Sequence, residues 1–429
     1  MGKLMTVGGA ALLALISGAG MAAPGAPEMK LAGHVDTLAL GGDLRLRHES
    51  FHYTNTRQGA GVSAVDRQRE RLRLRVKGDW TLPNGLMARV QLATGMPQNA
   101  LSAGMVGQGE PVSTNQSYTN LSTSFPIMVD QAYLSYTPIS EVTLLGGRMA
   151  NPMWMLYSSN AVWDADFNPE GYAQKVDVLL LDEVRVFVNA MQMVVDEDSA
   201  TNMDQWMFGE QLGVEFKLPF DLRVRAAGSY NDWTRARNSS FKTNTAQEGN
   251  MRSGTDSSAT GFSDGKRKQD FGVAVADVEV AGWAFDIPFS IQGTYVNNTR
   301  FHSERSLTKV AGKYQTDYQR GPEQWGGQAG VVVGKASADN SVEAGYFYKY
   351  MKYECTVADV ADSDFGDKGG LNRKGNIVWV AYNPLEYVQF KTTYFFNTRM
   401  VNPDLVKSPN GKYLGRDVNR LQADLTVKF

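Results

Sequence analysis

The sequence predicts a closed antiparallel β-barrel that crosses a membrane with about sixteen strands. Three observations carry that prediction: segments of two-residue alternation recur along the chain, tight turns alternate strictly with long polar loops, and the chain ends on the amphipathic strand "RLQADLTVKF". The clearest alternation is "RERLRLRVKGDW", where Arg69, Arg71, Arg73, Arg75 and Lys77 share one phase and Leu72, Leu74, Val76 and Trp80 the other. Two is the side-chain period of a β-strand, so one face is basic and the other apolar. In a soluble sandwich the apolar face would be core and the basic face surface, and the rest of the chain has to decide between the two readings.

Composition bounds the class. The chain has 429 residues and a formal net charge of -2, so no charge excess points to nucleic acid or to an acidic membrane surface. Its length would suit two or three soluble domains, yet no linker or composition break divides it, and one large closed sheet fits better. Forty-three glycines and 10% aromatic residues accompany the alternation, as in large all-β proteins. The start, "MGKLMTVGGAALLALISGAGMAA", has a cation at Lys3, an apolar run over 4–16 and small residues at Ala22 and Ala23. It reads as a secretory signal peptide over 1–23, because the run is shorter than the ~20 residues of a spanning helix. Residues 24–429 are then the mature protein, with the barrel proper over 36–429. The single cysteine, Cys355, excludes an intrachain disulfide and a CxxCH haem site and reads as an unpaired thiol near a strand end. His34, His48, His52 and His302 have no zinc-site spacing, and no metal or other cofactor is expected.

The expected strands fall near 38–49, 68–82, 86–95, 128–137, 142–149, 171–181, 183–194, 206–218, 221–230, 270–282, 286–298, 324–337, 341–354, 373–383, 385–397 and 416–429. Each has roughly the length of a tilted membrane strand. The short connections are "LPNGL" (82–86), "PISE" (138–141), "LDE" (181–183), "LPFD" (218–221), "ADNS" (338–341) and "NPL" (383–385). The long ones are rich in Gly, Ser and Asn, such as the stretch 238–268. Strict alternation puts all turns at one rim and all loops at the other, as in outer-membrane barrels with periplasmic turns and extracellular loops. Greek-key sandwiches do not keep that rhythm. In the last strand Leu421, Ala423, Leu425, Val427 and Phe429 share one face, and the terminal aromatic resembles the assembly signal of bacterial outer-membrane proteins. Trp80, Trp283, Tyr387 and Phe429 near the turn ends, and Tyr346, Tyr348 and Tyr350 on one strand face, suit interfacial girdles.

In so wide a barrel the interior is wet, so the cation ladder faces the channel and its leucines face lipid. The same phase places Arg45 and Arg47 on the first strand, Arg89 on the third, Arg148 on the fifth, and Arg223 and Arg225 on the ninth. After Arg148 the third long loop carries Trp154, Leu156, Tyr157, Val162, Trp163 and Phe167, which a solvated loop has no reason to hold. It is expected to fold into the pore and bring Asp164, Asp166 and Glu170 opposite the arginines, a constriction with a transverse field. A place on the outer rim is the alternative. "DADFNPEG" also imitates the start of a calcium loop, but Pro169 occupies the turn-glycine position and Lys175 the glutamate position. "DSDFGDKGG" (362–370) reads as a solvated acidic turn.

The segments "GGDLRLRHE" (41–49), "DRQRERLRLRVKGDW" (66–80), "NGLMARVQLATG" (84–95), "LLGGRMANPMW" (144–154), "VWDADFNPEG" (162–171) and "DSDFG" (362–366) resemble the family of putative porins of bacterial outer membranes. The resemblance implies a β-barrel channel for small hydrophilic solutes, set in outer-membrane lipids by the barrel-assembly machinery, and a homotrimer by analogy with general porins. The reading is passive diffusion with a weak anion preference. Its rivals are a channel selective for an anion or organic acid, which would use the arginines as a track, and a barrel sheath for an electron-transfer partner such as a multihaem cytochrome. An enzyme is not expected, since an outer-membrane hydrolase would need an activated nucleophile and so large a barrel would be unusual for one.

Overall fold

The computed structural model describes residues 34–55, 66–95, 112–118, 121–122, 124–156, 160–197, 203–237, 250, 269–302, 307–310, 313–316, 323–366, 369–401 and 417–429. The expected signal peptide over 1–23, Tyr157 and, apart from Asn250, the 238–268 loop lie outside the described residues.

Among the described residues sixteen long strands form the wall, joined by a two-residue strand at Gln116–Ser117 that pairs with Leu72 and Arg71. The first six are β1 (Thr37–Asn55), β2 (Arg67–Leu82), β3 (Leu86–Thr94), β4 (Ile127–Ile139), β5 (Val142–Arg148) and β6 (Glu170–Leu181). They continue as β7 (Val184–Asp196), β8 (Gln205–Leu218), β9 (Leu222–Trp233), β10 (Phe271–Ala284) and β11 (Ile287–Asn298). The last five are β12 (Trp325–Gly334), β13 (Ser341–Met351), β14 (Arg373–Leu385), β15 (Val388–Met400) and β16 (Asp417–Lys428). Every long strand pairs antiparallel with its sequence neighbours, and β16 returns to pair with β1. Closure leaves no sheet edge, which is what lets a sheet lie in hydrocarbon with all its backbone groups bonded.

The period of two decides which residues meet. Leu44 lies opposite Leu74 and Leu46 opposite Leu72, all turned outward, while Arg45 opposite Arg73 and Arg47 opposite Arg71 turn inward. The exposed large residues Leu40, Leu44, Leu46, Val76, Leu212 and Ile291 belong to the outer face, and the buried set is rich in Arg, Glu, Gln and Asn. Apolar outside and polar inside is the pattern of a lipid-embedded barrel. The turns are tight because their residues take positive φ: Asn84 and Gly85 sit at 61° and 78°, Phe285 and Asp286 at 51° and 61°. At Gly85 a Cβ would come within 2.3 Å of the Thr137 carbonyl oxygen, so glycine is required there.

β1 runs to Asn55, six residues beyond its expected end at 49. Outward residues past Leu46 are His48, Ser50 and His52, so the apolar alternation stops where the strand leaves the lipid band, while pairing continues through His48 opposite Glu70 and Ser50 opposite Gln68. Backbone pairing does not need an apolar face.

Candidate functional site

Cross-strand rows on β1, β2 and β16 gather the basic residues at the seam where the barrel closes. Two arginines side by side repel, and carboxylates interleaved in the same phase answer them. Asp43 accepts from Arg73 at 2.7 Å and from Arg75 at 2.8 Å. Asp424 takes Arg47 with both oxygens, at 2.6 and 2.8 Å. Glu49 is wholly buried and is shared by Arg420 at 2.9 Å, Arg47 at 3.4 Å, Arg71 at 3.5 Å and also Arg69. The ladder therefore faces inward as a lattice of ion pairs rather than a bare basic track. Cations at this density in a part-dry wall need compensation. Arg89 pairs with Asp79 on the neighbouring strand. Lys77 turns inward near the turn-side rim and has no carboxylate at salt-bridge distance among the described residues.

The third loop (149–169) enters the lumen. Its first half is pinned to β8 by a reciprocal pair: Trp154 N–H donates to Gln211 at 2.7 Å, and the Gln211 amide donates to the Trp154 carbonyl at 2.9 Å. Arg225 lies 5.1 Å from the Trp154 ring centre. The loop then reaches β13, where Lys349 donates to the Asn160 carbonyl at 3.2 Å. Val162, Trp163 and Phe167 are buried, with Trp163 stacked between Phe167 and Trp233 at 5.5 and 6.0 Å. It returns to β2 through Asp166, which is 3.5 Å from Arg73 and 3.3 Å from Arg75. Asn168 ends the crossing against Asp130 and Gln131 of β4, at 2.9 and 2.8 Å.

The three expected constriction acids separate. Asp166 alone meets the ladder. Glu170 is the first residue of β6, opposite Arg148 and bonded to it at 2.6 Å, so the strand register holds it on the wall and off the loop. Asp164 turns away and accepts the backbone N–H of Asp166 at 2.9 Å and that of Ser363 at 2.8 Å. With Asp166 on arginines and Asn168 on Asp130, the side chains of "DADFN" diverge and do not form a calcium cage. Among the described residues no group of three or more His, Cys, Asp or Glu could hold a metal ion.

The seventh loop (352–372) corrects a second expectation. "DSDFGDKGG" (362–370) reads as a solvated acidic turn, but Cys355, Val357, Phe365 and Leu371 are wholly buried and the loop lies against the third. Asp164 N–H donates to the Val360 carbonyl at 2.8 Å. Asp362 accepts from Lys349 at 2.7 Å, and Asp364 accepts from Arg420 at 2.8 Å and from Arg47 at 3.1 Å. Its acids are the counter-charges of buried wall cations, a role that a loop's own composition does not reveal. A segment of the second loop joins them: Arg45 and Arg71 donate to Asn115, at 2.6 and 2.8 Å, and Ser363 to the Val112 carbonyl at 3.1 Å.

These contacts set the loop carboxylates apart. Burial would raise Asp166 and Asp364, but Arg73, Arg75 and Arg45 hold Asp166 below the usual range, and Arg420, Arg47 and Arg71 hold Asp364 well below it. Burial, with Asp166 and Asp362 close by, pushes Asp164 well up. Across the lumen the wall is mixed: Arg225 meets Glu215 at 2.8 Å, and Arg223 is 3.6 Å from Glu279. A turn-side cavity of about 740 Å³ is lined there by Lys217, Arg223, Glu279, Gln292, Lys335 and Glu343. Asp43, Glu49, Asp364, Arg420, Asp424 and Lys391 were missed as site residues. Asp43 and Glu49 share the phase of Arg45 and Arg47 and could have been found; Asp364 leaves no local signal.

A family model described as "Putative porin" matches residues 24–267. Among solved structures the chain is similar to Salmonella typhi OmpF in complex with daunomycin, at 12% identity over 94% of this chain and 100% of that chain, with a TM-score of 0.48. It is similar to the outer membrane channel DcaP of Acinetobacter baumannii at 12% identity, over 93% and 100% of the two chains, with a TM-score of 0.46. To OmpT of Vibrio cholerae in its trimer form it is 11% identical, over 92% of this chain and 99% of that one, with a TM-score of 0.45. No curated protein matches the chain.

Proposed function

Because this chain belongs to the Putative porin family, whose model covers more than half of it, we propose that this bacterial outer-membrane channel passes small hydrophilic solutes and ions by passive diffusion, with a weak preference for anions. The observation that carries the preference is the charge balance at the seam. Seven cations (Arg45, Arg47, Arg69, Arg71, Arg73, Arg75 and Arg420) stand among five carboxylates (Asp43, Glu49, Asp166, Asp364 and Asp424). A fixed positive excess raises the local anion concentration, and pairing keeps the effect small. The channel acts without catalysis in this reading.

Residues 1–23 serve as the export signal, Phe429 as the signal read by the assembly machinery, and three copies associate in the lipid. The sheath reading has less support, since the third and seventh loops already occupy the lumen. A planar-bilayer recording in a salt gradient tests the proposal. The reversal potential should lie on the anion side at 0.01 M, where the Debye length is about 30 Å, and fade towards 1 M, where it is about 3 Å. A zero or cation-side potential at low salt would sink it.

A further inference from the structure

The ion pairs of the seam are not spread evenly. Asp43 is taken by Arg73 and Arg75, Glu49 by its arginines, and Asp424 by Arg47. Among the described residues Arg45 has only the neutral amide oxygen of Asn115, at 2.6 Å, and its buried Nε has no hydrogen-bond partner. Lys391 on β15 is half-buried over the Trp379 ring, 5.1 Å from its centre, with no carboxylate at salt-bridge distance among the described residues. Its cross-strand neighbour Asp424 turns both oxygens the other way, to Arg47. On its other side stands the small Ala381, and beyond it Glu343, which accepts the Trp379 indole N–H at 3.0 Å.

The register places these two cations close together. Lys391, Asp424 and Arg47 form one inward row across β15, β16 and β1, and Arg45 lies one inward step along β1 from Arg47. Two strand spacings and one step put the Cα atoms roughly 12 Å apart, within reach of two long side chains closing on one small anion. We propose that Arg45 and Lys391 form an anion-binding site in the lumen that takes the carboxylate or other oxyanion group of a permeating solute; the proposal rests on the channel reading. An arginine fork accepts two oxygens and a lysine supplies a point charge, so together they suit an oxyanion better than a halide. The arginines around them are already paired with carboxylates and hold the wall in place. Arg45 and Lys391 then add a local binding site to the preference that the charge balance of the seam supplies.

The experiment uses the full-length mature protein in planar bilayers, with citrate added to one side of a chloride solution. Citrate should reduce the chloride current of the parent, and Arg45→Gln or Lys391→Gln should raise the half-blocking concentration by about tenfold, the value of one charge-assisted hydrogen bond. Lys391→Arg should restore block. Arg185→Gln, which removes a paired lumen cation on β7, should leave block unchanged. Unchanged block in both Gln variants, or equal loss in Arg185→Gln, overturns the site. A second measurement separates the site from the channel reading: citrate should raise the unfolding temperature of the detergent-folded parent and not of Lys391→Gln, whether or not the barrel conducts. Equal shifts in the two proteins overturn the site, whereas a folded parent that binds citrate but passes no current overturns the channel reading alone.

Discussion

Asp164 and Asp166 stand two residues apart on one loop and answer to different surroundings. Asp166 lies between Arg73 and Arg75 and is held charged, while Asp164 is buried beside other acids with its charge disfavoured. Asp166→Asn should therefore move the low-salt reversal potential further to the anion side, and Asp164→Asn alone should leave it near the parent value. Equal shifts in the two variants would show that both charges face the conduction path. Glu49 is the other residue on which much depends. Removing its charge by Glu49→Gln leaves Arg47, Arg69, Arg71 and Arg420 to share what remains, a loss of about 3–5 kcal/mol for a broken buried network. The measurement is the temperature at which the barrel loses its heat-modifiable gel mobility, which should fall clearly. Both Asp43 and Glu49 were visible in "GGDLRLRHE", in phase with the arginines they neutralise. What a single strand does not show is its neighbour, and the sharing of one carboxylate by four arginines needs the register of β1 with β2 and β16.

At the scale of elements, strands were legible and inward loops only half so. Alternation and turn residues mark a strand locally, which is why all sixteen were placed; at β1 and β13 the ends shifted because apolar pattern and backbone pairing do not stop together. The third loop announced itself by Trp154, Trp163 and Phe167, since buried aromatics need a core. The seventh loop carried the signal of a solvated turn, and its partners Arg47 and Arg420 are 317 and 56 residues away. Its clasp makes a pH prediction. Asp364 is held well below the ordinary carboxylate range, against burial, by Arg420, Arg47 and Arg71. A depressed acid contributes stability above its released pKa, about 3.9, and loses it as pH falls through the lower folded value. The clasp should thus hold from neutral pH down to about 4, with current noise rising only below that. Asp364→Asn should be noisy already at neutral pH and indifferent to acid. A parent that becomes noisy between neutral pH and about 5 would place the titrating group elsewhere.

For the whole molecule, closure is the costly step, because β1 and β16 lie at opposite ends of the chain and can pair only after everything between them exists. The seam is fastened in two ways. In the lumen the ion pairs Arg47 with Asp424 and Arg420 with Glu49 cross from one strand to the other. At the turn-side rim the backbone of the last residue does the same: Gly42 N–H donates to the Phe429 carbonyl at 2.7 Å and Phe429 N–H to the Gly42 carbonyl at 3.1 Å. The Phe429 ring covers Gly42, where a Cβ would lie 2.7 Å from the ring and 2.3 Å from the Arg75 carbonyl oxygen. Deleting Phe429 should leave export across the inner membrane intact and sharply lower the heat-modifiable protein in the outer membrane. That outcome alone does not separate a lost seam contact from a lost signal to the assembly machinery. Gly42→Val does, because it disturbs the same contact and leaves the terminal aromatic in place. If both variants fail to close, the packing around Gly42 is part of the seam. If only the deletion fails, it acts as the address that the machinery reads, and normal outer-membrane levels of the deletion variant would refute both roles.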